Sequence, residues 1–221
     1  MTVMVLVSAE FVLPPELEAR WLAQLPPERR AQISRWTDPQ ARHRSLIGSR
    51  LLAHGLRRLG FAGDVLATLH YPAQSRPELA LPVDFSVSHC AGRIVCALSC
   101  EGAVGMDVEA LGDLRAADFL LYLSPAERAW AGRSTRRFYE VWTRKEAVVK
   151  AASARGLRDL AQVDTAVGEC LATFQGQQWH TCRVPVGRRH VAHVATPQVQ
   201  RNLVVHRLVR SVLERDTPVA G

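Results

Sequence analysis

The sequence predicts an α+β protein of two similar-sized α/β lobes in one chain, residues 1–102 and 103–221, and three observations carry that prediction. Apolar residues recur at helical spacing over 39–59 in the first half, and a second long helix is expected over 135–152 in the other. Three segments between residues 83 and 109 read as strands and are separated by glycine-containing turns. After Gly156 the chain breaks into further short alternating segments. Helices set against antiparallel strands in each half define the class. A chain of 221 residues has room for two such lobes, and an apolar content of 48% can fill a core without disulfide or metal staples.

Taken in order, Val3 to Val7 reads as a strand. It is far shorter than the about 20 apolar residues that span a bilayer, and it lacks the basic start of a secretory signal. No later run is long enough either, so the expected setting is the cytoplasm, with no membrane partner. Residues 14–25 and 27–36 read as two short helices divided by Pro26-Pro27. A longer helix follows from Pro39 to Leu59, with Leu46, Ile47, Leu51, Leu52, Leu56 and Leu59 on its apolar face and Gly60 as its stop. Three prolines make Tyr71 to Pro82 a loop. Strands are expected at 83–88, 93–99 and 103–109, joined by Ala91-Gly92 and Glu101-Gly102 as an antiparallel meander. Ser124-Pro125-Ala126-Glu127 has the form of a capping box with proline at the first helical position. Another helix should run from Thr135 to Ala152, and strands near 162–167, 170–175, 178–184, 189–195 and 203–209 complete the chain.

The formal charge of +7 suits anionic partners: nucleotides, coenzymes and acidic proteins as well as nucleic acid. The five cysteines are odd in number and form no Cys-x-x-Cys pair, so buried thiols in a reducing compartment are expected. Of the 28 basic side chains only two are lysine, Lys145 and Lys150, and they fall within six residues of each other.

Three segments can carry chemistry. In Val104-Gly105-Met106-Asp107-Val108-Glu109, strand alternation turns Val104, Met106 and Val108 into a core and leaves Asp107 and Glu109 on the other face, about 7 Å apart. Two carboxylates that close repel unless a cation or a proton lies between them, and a hard divalent ion suits oxygen ligands; on its own this pattern is more often a solvated strand face. On the helix from Phe138 to Lys150, Trp142, Glu146 and Lys150 share one stripe. A surface Glu–Lys pair explains two of them, but the large apolar companions Trp142 and Phe138 turn the stripe inward, where Glu146 can join the two acids and Lys150 can meet a phosphate oxygen. Finally, Phe85-Ser86-Val87-Ser88-His89 ends a strand in a hydroxyl and an imidazole, either satisfied locally or touching phosphate, with Arg42, Arg44 and Arg76 as further phosphate binders.

In this order and spacing, FSVSH, VGMDVE and FYEVWTRKEAVVKAASARGL resemble the signature blocks of the Sfp-type 4′-phosphopantetheinyl transferases, over about residues 28–157. Arg-His-Arg-Ser-Leu-Ile-Gly at 42–48 is similar to the family's first helix, and Arg76-Pro77 to its Lys-Pro or Arg-Pro loop. The resemblance implies a pseudo-dimeric fold with the active site in the cleft between the lobes, and coenzyme A as the substrate bound there. It implies Mg²⁺, or Mn²⁺, held by Asp107, Glu109 and Glu146. Arg44, Arg76, Ser88 and His89 would bind the coenzyme's phosphates. Lys150 would neutralise the pyrophosphate, and Glu146 would act as the base, directly or through a water. The implied partner is an acidic apo carrier protein, met by a monomeric enzyme. Cys90-Ala91-Gly92 departs from the family's Ser-Gly after the histidine, and one extra residue separates Lys150 from Gly156-Leu157. Arg29 and Arg30 stand where some members carry phosphate-binding lysines.

Two other classes compete. A metal-dependent nuclease would use the same carboxylates and lysine, but such enzymes place Glu-x-Lys on a strand, and FSVSH is then unexplained. A nucleic-acid-binding module would need a recognisable fold motif or aromatics interleaved with the basic residues, and neither is present.

Overall fold

The computed structural model describes residues 1–72, 76–114, 116–154 and 156–215; of the loops read at 71–82 and around 110–125, residues 73–75 and 115 lie outside the described residues. The fold is mixed α+β. Strand β1 (Thr2–Ala9) leads into helices α1 (Pro15–Ala23), α2 (Pro27–Ser34) and α3 (Pro39–Arg58), and two short strands follow, β2 (Leu69–His70) and β3 (Glu78–Leu79). The hairpin β4 (Asp84–Cys90) and β5 (Arg93–Ser99) comes next, and then β6 (Gly105–Ala110). Helices α4 (Pro125–Ala131), α5 (Thr135–Ala151) and α6 (Leu157–Gln162) precede β7 (Asp164–Thr165), β8 (Leu171–Phe174), β9 (Gln177–Arg183), β10 (His190–Thr196), β11 (Asn202–Leu208) and α7 (Arg210–Arg215).

The helix boundaries follow from their caps. Asp38 accepts from the Gln40 amide ahead of Pro39, and Ser134 accepts from the Arg137 amide at the start of α5. At α4 both halves of the expected capping box form, Ser124 to the Glu127 amide and Glu127 to the Ser124 amide.

Two main sheets divide the strands, in the orders β11-β1-β5-β4 and β6-β10-β9-β8-β7. Alternation sorts their side chains into layers. On the first sheet Leu6, Ile94, Cys96 and Leu98 pack with Leu46, Ile47, Leu51 and Leu52 of α3. From its other face Val3, Val5, Val7, Val95 and Ala97 enter a core shared with Met106, Val108, Ala192 and Val194 of the second sheet. The far face of the second sheet carries α5, through Val141, Ala147 and Val148 among others. Each half therefore sets one long helix on its sheet, and the two sheets face each other.

Two topological features depart from the expected strands. The meander ends after one hairpin: β4 and β5 pair antiparallel, whereas β6 leaves to pair with β10. Side chains of β4 take the place of a ladder to β6, since Asp84 accepts from the Val104 amide at 2.7 Å and Ser86 from the Met106 amide at 3.0 Å. The last strand, β11, pairs parallel to β1, so this segment of the second half completes the sheet of the first. The stretch 157–162, placed before the first expected strand, is a helix, α6. The buried-thiol expectation holds only for Cys96; all five cysteines are free, Cys90 and Cys182 are half-buried, and Cys100 and Cys170 are exposed. Among the described residues no helix is long and apolar enough to cross a membrane.

Candidate active site

The site grows from the contact between β6 and α5. Met106 and Val108 are buried in the inter-sheet core, so Asp107 and Glu109 point the other way, toward α5. Gly105 makes that contact close, because a Cβ at this position would lie well under 3.0 Å from the Ala147 carbonyl oxygen and the Ala151 amide nitrogen of α5. Helical spacing puts Glu146 and Lys150 on one stripe of α5, and both line a groove of about 350 Å³. The other walls come from α3 (Ser45, Ser49), the loop at Tyr71 and Arg76, and β4 (Phe85, Ser86, His89), so both halves contribute.

Asp107 is the centre of the polar network and is 3% exposed. Its Oδ1 accepts from Lys150 Nζ at 2.6 Å and from Ser88 Oγ at 2.8 Å, and Lys150 Nζ also donates to Ser88 Oγ at 3.2 Å. Its Oδ2 is buried with no hydrogen-bond partner, an arrangement that is uncommon for a charged oxygen. Glu109 is pushed up to about 7, first by burial and then by the Asp107 charge, with Glu146 adding to it. Burial and Asp107 raise Glu146 as well, against the pull of Lys150. For Lys150 burial acts downward, but Asp107, Glu146 and Glu109 outweigh it and hold the ammonium above the usual lysine range. Three carboxylates thus feel one another's charge across one groove. They do not stand as a ready-made ligand set: among the described residues no three His, Cys, Asp or Glu side chains are close enough together to hold a metal ion, and Lys150 occupies the position on Asp107 Oδ1.

The expected phosphate binders fall into two groups. Ser88 and His89 stay with the site, Ser88 on Asp107 and His89 exposed on the groove wall. The His89 imidazole is held below its usual range by loss of solvent and then by the Arg44 guanidinium. Arg76 also lines the groove, but protein acceptors take its guanidinium: both oxygens of Asp84, the carbonyls of Val104 and Lys150 at 3.3 and 3.0 Å, and the Phe85 carbonyl. It is a strut between the halves. Arg44 pairs with Glu10 at 3.2 Å and Asp38 at 3.6 Å, while Arg42 pairs with Glu18 at 2.9 Å and donates to the Trp36 carbonyl. Arg29 enters the groove, bonded to Ser45 Oγ at 2.9 Å and sandwiched between the Tyr71 and Trp36 rings, whereas Arg30 donates to the Ala23 carbonyl. Lys145, the other lysine, is fully buried on the opposite side of α5 against Glu127 at 2.9 Å.

Glu10, Asp84 and Glu127 carry roles that the residue patterns did not expose. Glu10 ties Arg44 to the Gly92 amide at the turn after His89. Asp84 anchors Arg76 and the start of β6. Glu127 was legible as a helix cap but not as the counter-ion of Lys145, 18 residues on.

Comparison with known proteins gives a consistent result. The sequence model of the 4′-phosphopantetheinyl transferase superfamily matches residues 103–195. The chain is 34% identical over 139 residues to 4′-phosphopantetheinyl transferase AcpT of Escherichia coli strain K12, covering 58% of this chain and 65% of that protein. It is 28% identical over 148 residues to a 4′-phosphopantetheinyl transferase of Bacillus subtilis, covering 61% of this chain and 63% of the relative. The match to AcpT of Salmonella typhi is 30% over 141 residues and covers 56% of this chain and 73% of that protein. The matched stretch is thus somewhat under two thirds of the length of the first and second of these relatives. By the Salmonella match and by the block that contains Asp107, Glu109, Glu146 and Lys150, the chain belongs to the 4′-phosphopantetheinyl transferase superfamily.

Proposed function

We propose that this protein transfers the 4′-phosphopantetheine group of coenzyme A to a serine of an apo carrier protein and releases 3′,5′-ADP. The observation that carries the reading is the Ser88–Asp107–Lys150 network with Glu109 and Glu146 beside it, in a groove walled by both halves. Lys150 in this network sits on a helix four residues beyond Glu146, unlike the strand-borne lysine of a nuclease.

The residues fit a hard divalent cation: every acidic donor is a carboxylate oxygen, one of them is buried without a partner, and burial followed by the Asp107 charge pushes Glu109 up to about 7. Asp107, Glu109 and Glu146 would hold Mg²⁺ or Mn²⁺, which when bound would offset charge on the pyrophosphate. Lys150 donates to phosphate oxygens and balances the charge that grows as the serine oxygen attacks the β-phosphorus and the ADP oxygen leaves. Ser88 and His89 orient the same phosphates. Arg29 and Ser45 form a cationic, hydroxyl-lined end of the groove suited to the remaining phosphate, and Arg44 and Arg76 add positive potential from ion-paired positions. Glu146, its affinity for a proton raised by burial, accepts the serine proton directly or through a water. The lobes 1–102 and 103–221 act as the two walls of one site, in a monomer working in the cytoplasm.

Incubation with a purified apo carrier protein, coenzyme A and Mg²⁺, read by intact mass, should add one phosphopantetheine to the carrier. Chelator should abolish the gain. Asp107→Ala should fall at least 100-fold in rate while remaining folded; full activity in that variant would sink the proposed site.

A further inference from the structure

Arg76 lines the groove, yet its guanidinium is committed to the protein. The side chain is 15% exposed, so protein acceptors and not water must satisfy its donors. Nη1 donates to the Lys150 carbonyl of α5 at 3.0 Å and to the Val104 carbonyl just ahead of β6 at 3.3 Å, and Nη2 donates to the Phe85 carbonyl of β4. Asp84, also on β4, accepts from Nη2 on Oδ1 at 2.8 Å and from Nη1 on Oδ2 at 3.3 Å. The two terminal nitrogens carry four N–H groups between them. Five bonds leave none of the four over for a phosphate oxygen.

The three carbonyls stand in step with the site. Phe85 lies three residues before Ser88 on β4, and Val104 lies three before Asp107, a run of about 10 Å along each strand. The Lys150 carbonyl belongs to the residue whose Nζ bonds both Asp107 and Ser88. The guanidinium therefore closes a ring: along β4 to Ser88, along β6 to Asp107, and through Lys150 back to its own carbonyl. Strands β4 and β6 belong to different sheets, so side chains and not a backbone ladder hold them together. Asp84 braces the same corner, because its Oδ2 also accepts from the Val104 amide at 2.7 Å. A cation beside the last carbonyls of α5 complements the helix dipole as well.

We propose that Arg76 is a positioning residue, which fixes the backbone of Lys150, and with it Nζ, against Asp107 and Ser88, and does not bind coenzyme phosphate. The inference deepens the transferase reading above and rests on it. Lysine cannot take this place. An ammonium offers three donors from a single point, whereas the guanidinium spreads its donors over a rigid plane that reaches β4, β6 and α5 together. With lysine at position 76 the charge stays and the ring opens.

The test compares Arg76→Lys and Arg76→Gln with wild type in steady-state transfer to a purified apo acyl carrier protein, beside calorimetric titration of coenzyme A with Mg²⁺ and no carrier. Both variants should lose at least tenfold in kcat, since about 1 Å of misplacement costs on the order of 100-fold. Coenzyme A KM and Kd should stay within threefold of wild type. A phosphate contact predicts the reverse: lysine keeps the wild-type rate, and glutamine raises the coenzyme A Kd tenfold or more with kcat held. Either of those results overturns the assignment. Asp84→Asn turns an amide toward the guanidinium and keeps an oxygen for the Val104 amide, so it should lower kcat in the same sense. Arg76→Gln/Asp84→Asn should be no slower than Arg76→Gln alone, and losses that multiply count against a shared ring. Should the Arg76 variants fail to fold, Asp84→Asn decides alone, and a wild-type kcat in it overturns the role. Wild type that transfers nothing to any carrier sinks the transferase reading first, before any variant is compared, and the positioning role with it.

Discussion

Consider what one methyl group would do at Gly105. The Cβ of Gly105→Ala would overlap the Ala147 carbonyl oxygen and the Ala151 amide nitrogen and lie 3.0 Å from the Ala147 carbonyl carbon, all backbone atoms of α5 that cannot rotate aside. Ordinary carbon contacts begin near 3.5 Å, so the helix has to withdraw from β6 by more than about 1 Å. Ala147 and Ala151 bracket Lys150, and the withdrawal stretches the 2.6 Å bond from Lys150 Nζ to Asp107 past hydrogen-bond range. Overpacking of this kind costs about 1–3 kcal/mol, which for a chain of this size lowers the melting temperature by roughly 2–12 °C. A reacting group misplaced by about 1 Å loses on the order of 100-fold in rate. A time course of carrier modification by intact mass, beside a thermal melt, reads both effects. Gly105→Ala with wild-type rate and stability would refute the argument that close β6–α5 contact sets the site.

Other outcomes follow from the buried charges. Lys145→Met removes the counter-ion of Glu127, which keeps only the Ser124 and Thr165 amides and the Thr165 hydroxyl, and strips the Leu160 and Val163 carbonyls of their donor. Breaking a buried pair from one side costs about 3–5 kcal/mol, so the melt should drop by roughly 6–20 °C, and a drop under about 3 °C would contradict it. His193, bonded through Nδ1 to Thr143 Oγ1, is pushed down to about 3 by burial and by Arg144 and Arg183. Its unfolded form takes up a proton below pH about 6.5 while the folded form does not, so stability falls as pH drops from there toward about 3. The share lost between pH 7 and 5 is about 2 kcal/mol, and urea titrations of His193→Asn at the two pH values should show a correspondingly smaller decline than wild type. Glu109 is pushed up to about 7, so Mg²⁺ must displace its proton. Calorimetry should find Mg²⁺ binding that tightens as pH rises from 6 to 8, with about one proton released on binding at pH 6 and little at pH 8; pH-independent affinity would remove Glu109 from the ligand set.

Local structure was legible where its cause was local. Apolar period gave α3 and α5, and a capping box gave the start of α4. Strand alternation correctly turned Asp107 and Glu109 away from Met106 and Val108. What escaped the sequence was partner choice. Nothing in residues 103–109 says that β6 will abandon the β4–β5 hairpin, because its backbone amides are claimed by Asp84 and Ser86 side chains some 20 residues away. Arg76 illustrates the same limit at the site. Its residue type fits phosphate, but whether its donors are free depends on Asp84 and on carbonyls of β4, β6 and α5 that only the fold brings to it. The two lysines looked alike by spacing, yet five residues along a helix turn one to the groove and the other into a sealed pair with Glu127.

The parallel pairing of β11 with β1 gives the halves unequal histories. Residues 105–196 supply every strand of the second sheet, and that sheet can assemble as soon as the segment leaves the ribosome. The first sheet, built from residues 2–99, waits for residues 202–208, and until they arrive β1 presents the open backbone edge of Thr2 to Ser8 to any passing strand. Loss of that late segment therefore threatens solubility during synthesis before it touches chemistry.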